Sequence, residues 1–193
     1  MTESIGDCRT IQFSKLQELD RLGPGVDHSS YEDEFGIRQK FAAFKFNPLE
    51  MPQRLQMTWD ELNLLKSLPS HSNILPFDRV VLDDVESRVI GFTTKCISDG
   101  TLDNTKVPLR FERLQQLTQL ANFVNLELGT FHQDIAPRNL LIDPDTNKIL
   151  LFNFGWAVYG KKRLQDSRAN LTSVIFIIYE LITNDTCFTN IPH

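Results

Sequence analysis

Apolar and polar positions change rhythm near the middle of this chain. In the first half they come as short runs bounded by turn formers. From Ile11 to Leu22, Leu16, Leu19 and Leu22 recur at helical spacing behind a Ser14 cap with Gln17 three residues on, and a strand entering a hairpin fits the same residues equally well. Gly23-Pro24-Gly25 follows as a turn, and Arg38 to Phe46, compact, aromatic and bounded by Pro48, reads as a strand. The polar SSYEDEFG between them reads as a solvated loop. Met57 to Leu68 places Leu62, Leu64, Leu65 and Leu68 near one helical face, with Trp59 one turn earlier, and stops before Pro69. Ile74 to Val81 and Arg88 to Thr94, separated by Asp83-Asp84, predict a hairpin.

The second half is longer in period. Phe111 to Phe131 carries Leu114, Leu117, Leu120, Phe123, Val124 and Leu128 at intervals of three and four, with Gly129 as a stop, and predicts one amphipathic helix. A polar loop from His132, an apolar strand from Ile149 to Phe152 and a last helix from about Leu171 to Ile182 complete the chain. The expectation is an α+β fold, strand-rich first and helical afterwards, with no internal repeat.

Composition narrows the function classes. At 193 residues and 41% hydrophobic content the chain can bury one core, so residues 1–193 are expected to form a single domain. A net charge of −5 gives no electrostatic footprint for nucleic acid or an anionic membrane. Cys8, Cys96 and Cys187 include no C-x-x-C pair and suggest neither a disulfide framework nor a zinc site. The N-terminal residues lack the basic and apolar runs of a signal peptide, and the Val174 to Ile182 segment is far shorter than the ~20 residues that span a bilayer. A reduced, cytoplasmic protein is expected.

The chemistry concentrates in HQDIAPRNLLIDPDTNKILLFNFG, His132 to Gly155. It holds a His, an Asp and an Asn as H-x-D-x-x-x-x-N (His132, Asp134, Asn139), then an apolar strand, then Asn153-Phe154-Gly155. This order resembles the catalytic loop (H-R-D-x-x-x-x-N) and metal loop (D-F-G) of the protein kinases, with Gln133 in place of the Arg and Asn153 in place of the metal-binding Asp. Upstream, Ala43-Phe44-Lys45 resembles the family's A-x-K, Gly23 and Gly25 resemble two glycines of its G-x-G-x-x-G loop with His28 at the third, and Glu61 before His71-Ser72-Asn73-Ile74 resembles its helix Glu and following turn. Each residue alone has an ordinary reading, a solvated Lys, a surface Glu, a turn glycine; the joint order is what is specific. The phrases WDELNLLKSLPSHSNILPFDRVVLD and HQDIAPRNLLIDP resemble in particular a group of kinase-like proteins of filamentous fungi.

The resemblance implies a two-lobed fold, a small β-sheet lobe with one helix and hinge over about residues 1–97, and a truncated helical lobe over about 98–193. It implies ATP and Mg2+ as cofactors. Lys45, oriented by Glu61, would bind the α and β phosphates beside Gly23, Gly25 and Ala43, with Thr94 as gatekeeper and Lys95, Cys96 and Ile97 as the hinge that meets adenine. Asp134 would be the catalytic base, with Asn139 and Asn153 as metal ligands and Arg138 near the γ phosphate. The function implied is transfer of the γ-phosphoryl group to a protein hydroxyl. Loss of the Asp charge at Asn153, together with the short stretch from there to Asn170, favours as an alternative a pseudokinase acting as an interaction module; a small-molecule phosphotransferase is a further one. A dimer or partner would cover the exposed face of the Val174 helix.

Overall fold

The structure, a computed structural model, describes residues 6–32, 36, 39–47, 52–98, 100–104, 110–159 and 170–183. Two compact units divide the chain, the first comprising Met1–Ser70 and Leu75–Cys96, the second His71–Ile74 and Ile97–His193. The first is built on a six-stranded sheet and the second combines α-helices with two short strand pairs, so the α+β expectation holds. Pro108, Ser167 and Cys187 lie outside the described residues.

In the first unit the strands are β1 (Thr10–Gln12), β2 (Gln17–Gly23), β3 (Val26–Glu32), β4 (Gln39–Phe46), β5 (Phe77–Leu82) and β6 (Val89–Lys95), in the order β1-β5-β6-β4-β3-β2. Among the described residues of this sheet, only the β1–β5 pairing is parallel. The ambiguous Ile11 to Leu22 stretch resolves as β1, a single 3₁₀ turn at Phe13–Lys15, and β2. The helical spacing of its leucines is incidental, because Leu19 and Leu22 are exposed on an edge strand while Phe13 reaches the ring of Phe44.

The stretch expected as a solvated loop from Ser29 is instead β3 as far as Glu32. Two of its buried polar side chains have partners in the sheet: Gln39 Nε2 donates to Ser30 Oγ at 2.9 Å, and the Tyr31 hydroxyl donates to Asp78. Arg79, also buried, lies with its guanidinium 5.2 Å from the Tyr31 ring centroid. Burial and the bond to Asp78 push the Tyr31 hydroxyl pKa upward. Polarity hid this strand from a reading based on apolar alternation.

The one α-helix among the described residues of this unit, α1 (Pro52–Ser67), starts five residues earlier than its leucine pattern indicated, with proline in its first turn. It packs against β6 and buries Glu61, Leu62, Leu64 and Leu65. The β5–β6 hairpin closes through Asp83, whose carboxylate accepts the N–H groups of Val85, Glu86 and Arg88; these bonds, that of Glu86 foremost, hold its pKa below the usual carboxylate value.

The second unit contains α2 (Phe111–Asn122), β7 (Thr130–Phe131), β8 (Leu140–Asp143), β9 (Lys148–Leu151), β10 (Val158–Tyr159) and α3 (Asn170–Thr183). The helix expected to run from Phe111 to Phe131 ends its α-helical part at Asn122. It widens into a π turn at Phe123–Glu127, where Leu128 N–H donates to Phe123 O at 3.1 Å, and Gly129 at φ 60° turns the chain into β7. Two antiparallel hairpin-like pairs, β8–β9 and β7–β10, bracket the polar loop. α3 packs on α2, burying Val174 and Ile177 and leaving Ile175 and Tyr179 exposed one turn apart. Asn73 ties the 71–74 turn to this unit: its Nδ2 donates to Ile149 O at 2.8 Å and to Gln116 Oε1 at 3.1 Å, while Ile149 N–H donates back to Gln116 Oε1 at 2.9 Å. Among the described residues no helix is long and apolar enough to cross a membrane.

One position in β6 governs how closely β4 can approach. A Cβ at Gly91 would stand 2.2 Å from Lys45 O and 2.8 Å from the Phe44 ring, so only glycine lets these strands meet with Lys45 in register opposite Phe92. Gly91→Ala is therefore expected to destabilise the protein by about 1–3 kcal/mol in urea unfolding, the usual cost of forcing atoms into a packed site. A change below 0.5 kcal/mol would mean that β4 moves away freely.

Candidate functional site

Lys45 sits on a central strand of the first unit, between Val26 of β3 and Phe92 of β6. Strand residues two apart share a face, and directly opposed residues do too, so Lys45 and Ala43 lie on one face with Val26, His28 and Thr94. Ala42 and Phe44 take the other face and are buried. Glu61 of α1 comes to Lys45 at 2.6 Å between Nζ and Oε2. The Glu61 side chain is only 2% exposed against 26% for Lys45. A carboxylate so buried is tolerable only with a cation and hydrogen bonds beside it. The structure thus brings together two of the residues that the family resemblance implied.

The remaining residues of this set are distributed as follows. Gly23 ends β2 opposite Val26, leaving Pro24-Gly25 as a two-residue turn with Gly25 at φ 72°. That is the left-handed position a Pro-Gly turn requires. Gly25 O accepts Phe46 N–H at 2.8 Å, and Pro24 has no N–H to offer, so the turn is compact and tied to β4. His28 lies within β3 opposite Ala43, its ring 5.8 Å from that of Phe41. Thr94 is half-buried opposite Ala43; Lys95 is exposed, with its N–H donating to Pro76 O at 3.1 Å; Cys96 and Ile97 are half-buried. Burial pushes the Cys96 thiol pKa up, which leaves it a packing residue at neutral pH.

In the second unit the His132 to Phe154 segment forms a connected set. His132 is fully buried, donates from Nε2 to Phe152 O at 2.9 Å, and accepts the Asp134 N–H at Nδ1, 3.3 Å away. Its ring meets that of Phe154 edge-on at 4.6 Å. Asn139, on the 3₁₀ turn Pro137–Asn139, donates from Nδ2 to Asp134 O at 2.8 Å and to Asp134 Oδ2 at 2.7 Å. Arg138 donates to the other carboxylate oxygen of Asp134. Asn153 takes a left-handed conformation, φ 63° and ψ 61°, and donates from Nδ2 to Asn139 Oδ1 at 2.9 Å. Asp134, Asn139 and Asn153 are therefore one hydrogen-bonded group. Arg138, expected near a phosphate, is an ion-pair partner of Asp134 here. Gln133, which stands where the motif has Arg, is buried at φ 61°, and its Nε2 donates to Trp156 O at 2.9 Å and so fixes the chain just beyond Phe154-Gly155.

A magnesium ion at this group would need hard, preferably anionic, oxygen ligands. Asn139 Oδ1 is taken by the Asn153 amide, and both oxygens of the one carboxylate are engaged by Arg138 and Asn139. Among the described residues no group of three or more His, Cys, Asp or Glu side chains could hold a metal. As arranged, the donor set does not fit a divalent cation.

No protein-family model matches the chain. Two curated proteins of Saccharomyces cerevisiae are similar to it. Serine/threonine-protein kinase RIM11/MSD1 is 35% identical over 83 residues, covering 42% of this chain and 20% of that protein. Protein kinase MCK1 is 25% identical over 168 residues, covering 84% of this chain and 43% of that protein. The chain spans less than half the length of either relative. Taken with the α+β architecture, these low-identity yeast kinase relatives support a place for the chain in the protein kinase superfamily.

Proposed function

We propose that this chain is a protein-kinase-like domain that binds ATP and acts mainly through that binding and through protein contacts, with phosphoryl transfer slow or absent. The observation that carries the nucleotide reading is the Lys45–Glu61 contact at 2.6 Å, with a carboxylate that is almost wholly buried. An ammonium oriented by a buried carboxylate holds a fixed position on the sheet face, as binding of phosphate oxygens requires. Ala43 and Thr94 share that face, and in this reading the backbone at Cys96 and Ile97 would offer the hydrogen bonds that a purine edge needs. The yeast relatives are named as protein kinases, and ATP with a protein hydroxyl as acceptor is the pairing this implies.

Slow transfer follows from the second unit. A base must be reachable by the hydroxyl whose proton it takes, and both oxygens of Asp134 are already hydrogen-bonded. The charge that would neutralise a transferring phosphoryl group is also reduced, because Asn153 contributes an amide where an Asp would contribute an anion for a cation to bind. A second reading, residual transfer to a protein hydroxyl, is favoured by the placement of Asp134 by two bonds from Asn139. In that reading Asp134 orients and accepts the proton of the hydroxyl once Arg138 releases it. Turnover with a metabolite and none with protein would instead indicate a small-molecule phosphotransferase.

ATP is expected to raise the melting temperature of the purified chain, and Lys45→Met is expected to weaken ATP binding by about tenfold or more, the scale of one lost charge-assisted hydrogen bond. Glu61→Gln should weaken it by a smaller factor, since the ammonium remains but loses its guide. An ATP-induced shift equal in the parent and Lys45→Met proteins would remove Lys45 from the site.

Phosphoryl transfer, measured with radiolabelled ATP and a mixed protein acceptor, is expected to lie at or near background. Any transfer above it should fall at least a hundredfold in Asp134→Asn while ATP binding is retained, since general base catalysis commonly contributes ~10²–10⁴-fold. Robust transfer by the parent chain would refute the reading as mainly a binding module.

A further inference from the structure

We propose that Asn153 takes the place of a metal ion in this chain, its amide N–H satisfying the Asn139 oxygen that a divalent cation would otherwise bind, so that nucleotide is held without a cation coordinated by Asn139 and Asn153. The nucleotide clause rests on the function proposed above; the statement about the cation does not.

Asn139 is 2% exposed, so its side-chain oxygen cannot be left to water and must have a partner. Asn153 Nδ2 supplies one at 2.9 Å. The Asn139 amide is spent on Asp134, through the main-chain oxygen at 2.8 Å and Oδ2 at 2.7 Å, and this fixes which way round Asn139 lies and directs Oδ1 at residue 153. An N–H carries a partial positive charge toward that oxygen, as a cation would carry a full one. The two cannot occupy the same lone-pair direction at once. The charge count agrees: the one carboxylate of the group, Asp134, is balanced by Arg138, so no net negative charge is left to draw a dication in.

Aspartate at 153 would reverse this. Its carboxylate would face Asn139 Oδ1, acceptor against acceptor, and the pair would be relieved by a cation lying between them. Asn and Asp both tolerate the left-handed conformation that residue 153 adopts, so the exchange changes charge and hydrogen bonding with the backbone left as it is.

The experiment is a titration of the ¹⁵N-labelled chain and its Asn153→Asp variant with Mn2+ alone, reading paramagnetic broadening of the side-chain amide signals. In the parent, the Asn139 and Asn153 amides should broaden no sooner than that of exposed Gln119. In Asn153→Asp, the Asn139 amide should broaden at a Mn2+ concentration at least tenfold lower than in the parent. Selective broadening of Asn139 in the parent at the concentration that suffices for the variant would overturn the proposal, and so would a variant that gains no broadening. In parallel, the thermal shift of the parent with ATP should be equal in EDTA and in Mg2+; a shift that grows with Mg2+ would overturn the metal-free binding of nucleotide. No ATP shift under either condition would remove the nucleotide clause and the ATP-site reading with it, while the Mn2+ titration still decides the role of Asn153.

Discussion

A buried amide side chain has two donors and an acceptor to satisfy, and the second unit of this protein is arranged around how Asn139 does so. Its Nδ2 holds the backbone and carboxylate of Asp134, its Oδ1 receives Asn153, and its main-chain oxygen accepts Phe152 N–H at 3.2 Å. One residue therefore links the loop after β7, the exit of β9 and the turn into Phe154-Gly155. His132 adds a second tie to the same place by donating to Phe152 O. With both Asn139 and His132 donating to or accepting from that short stretch, the loop geometry is over-determined. This explains how Gln133 and Asn153 can persist in left-handed conformations that non-glycine residues adopt only at a cost of about 1–3 kcal/mol when not otherwise held.

The two units treat charge differently. In the first, α1 buries a carboxylate and the sheet supplies a partly exposed ammonium to meet it, an arrangement that would be hard to explain by stability alone, because replacing a buried ion pair by apolar residues is often neutral or favourable. In the second, an ion pair between Arg138 and Asp134 and a run of neutral amides leave no exposed excess of either sign at the group.

Much of this was legible in the sequence because the informative residues are ones whose neighbours have few alternatives. The Leu62 to Leu68 periodicity marked α1, and the resemblance of the Lys45 and Glu61 phrases to kinase motifs implied a contact that only the folded sheet and helix could make. The failures have a common physical origin. The residues of β3 read as a loop because Ser29, Ser30 and Tyr31 are polar, yet in the sheet all three are buried, with Ser30 bonded to Gln39 and Tyr31 to Asp78. The long helix was overrun because the leucine and phenylalanine rhythm continues through the π turn at Phe123, where one extra residue is accommodated without breaking the apolar face. Gly91 carries no signal in the sequence because a glycine inside a strand reads as a weakness, whereas its lack of a side chain is what admits Lys45 O. The pairing of Arg138 with Asp134 lies four residues apart in sequence, but whether such a pair forms depends on the 3₁₀ turn at Pro137–Asn139, which spacing cannot reveal.

Relative to the kinase motif that they resemble, Gln133 and Asn153 are changes of one kind. Each puts an amide where a charged group would stand, and each amide donates a hydrogen bond: Gln133 to Trp156 O, Asn153 to Asn139 Oδ1. An Arg at 133 would present a charge to be answered by an anion, and an Asp at 153 a charge to be answered by a cation. The amides need neither, since their partners are supplied by the chain itself. The segment from His132 to Tyr159, with β7 paired to β10 across it, is thereby held in place by its own hydrogen bonds, without calling on a phosphate or a metal for the shape it has.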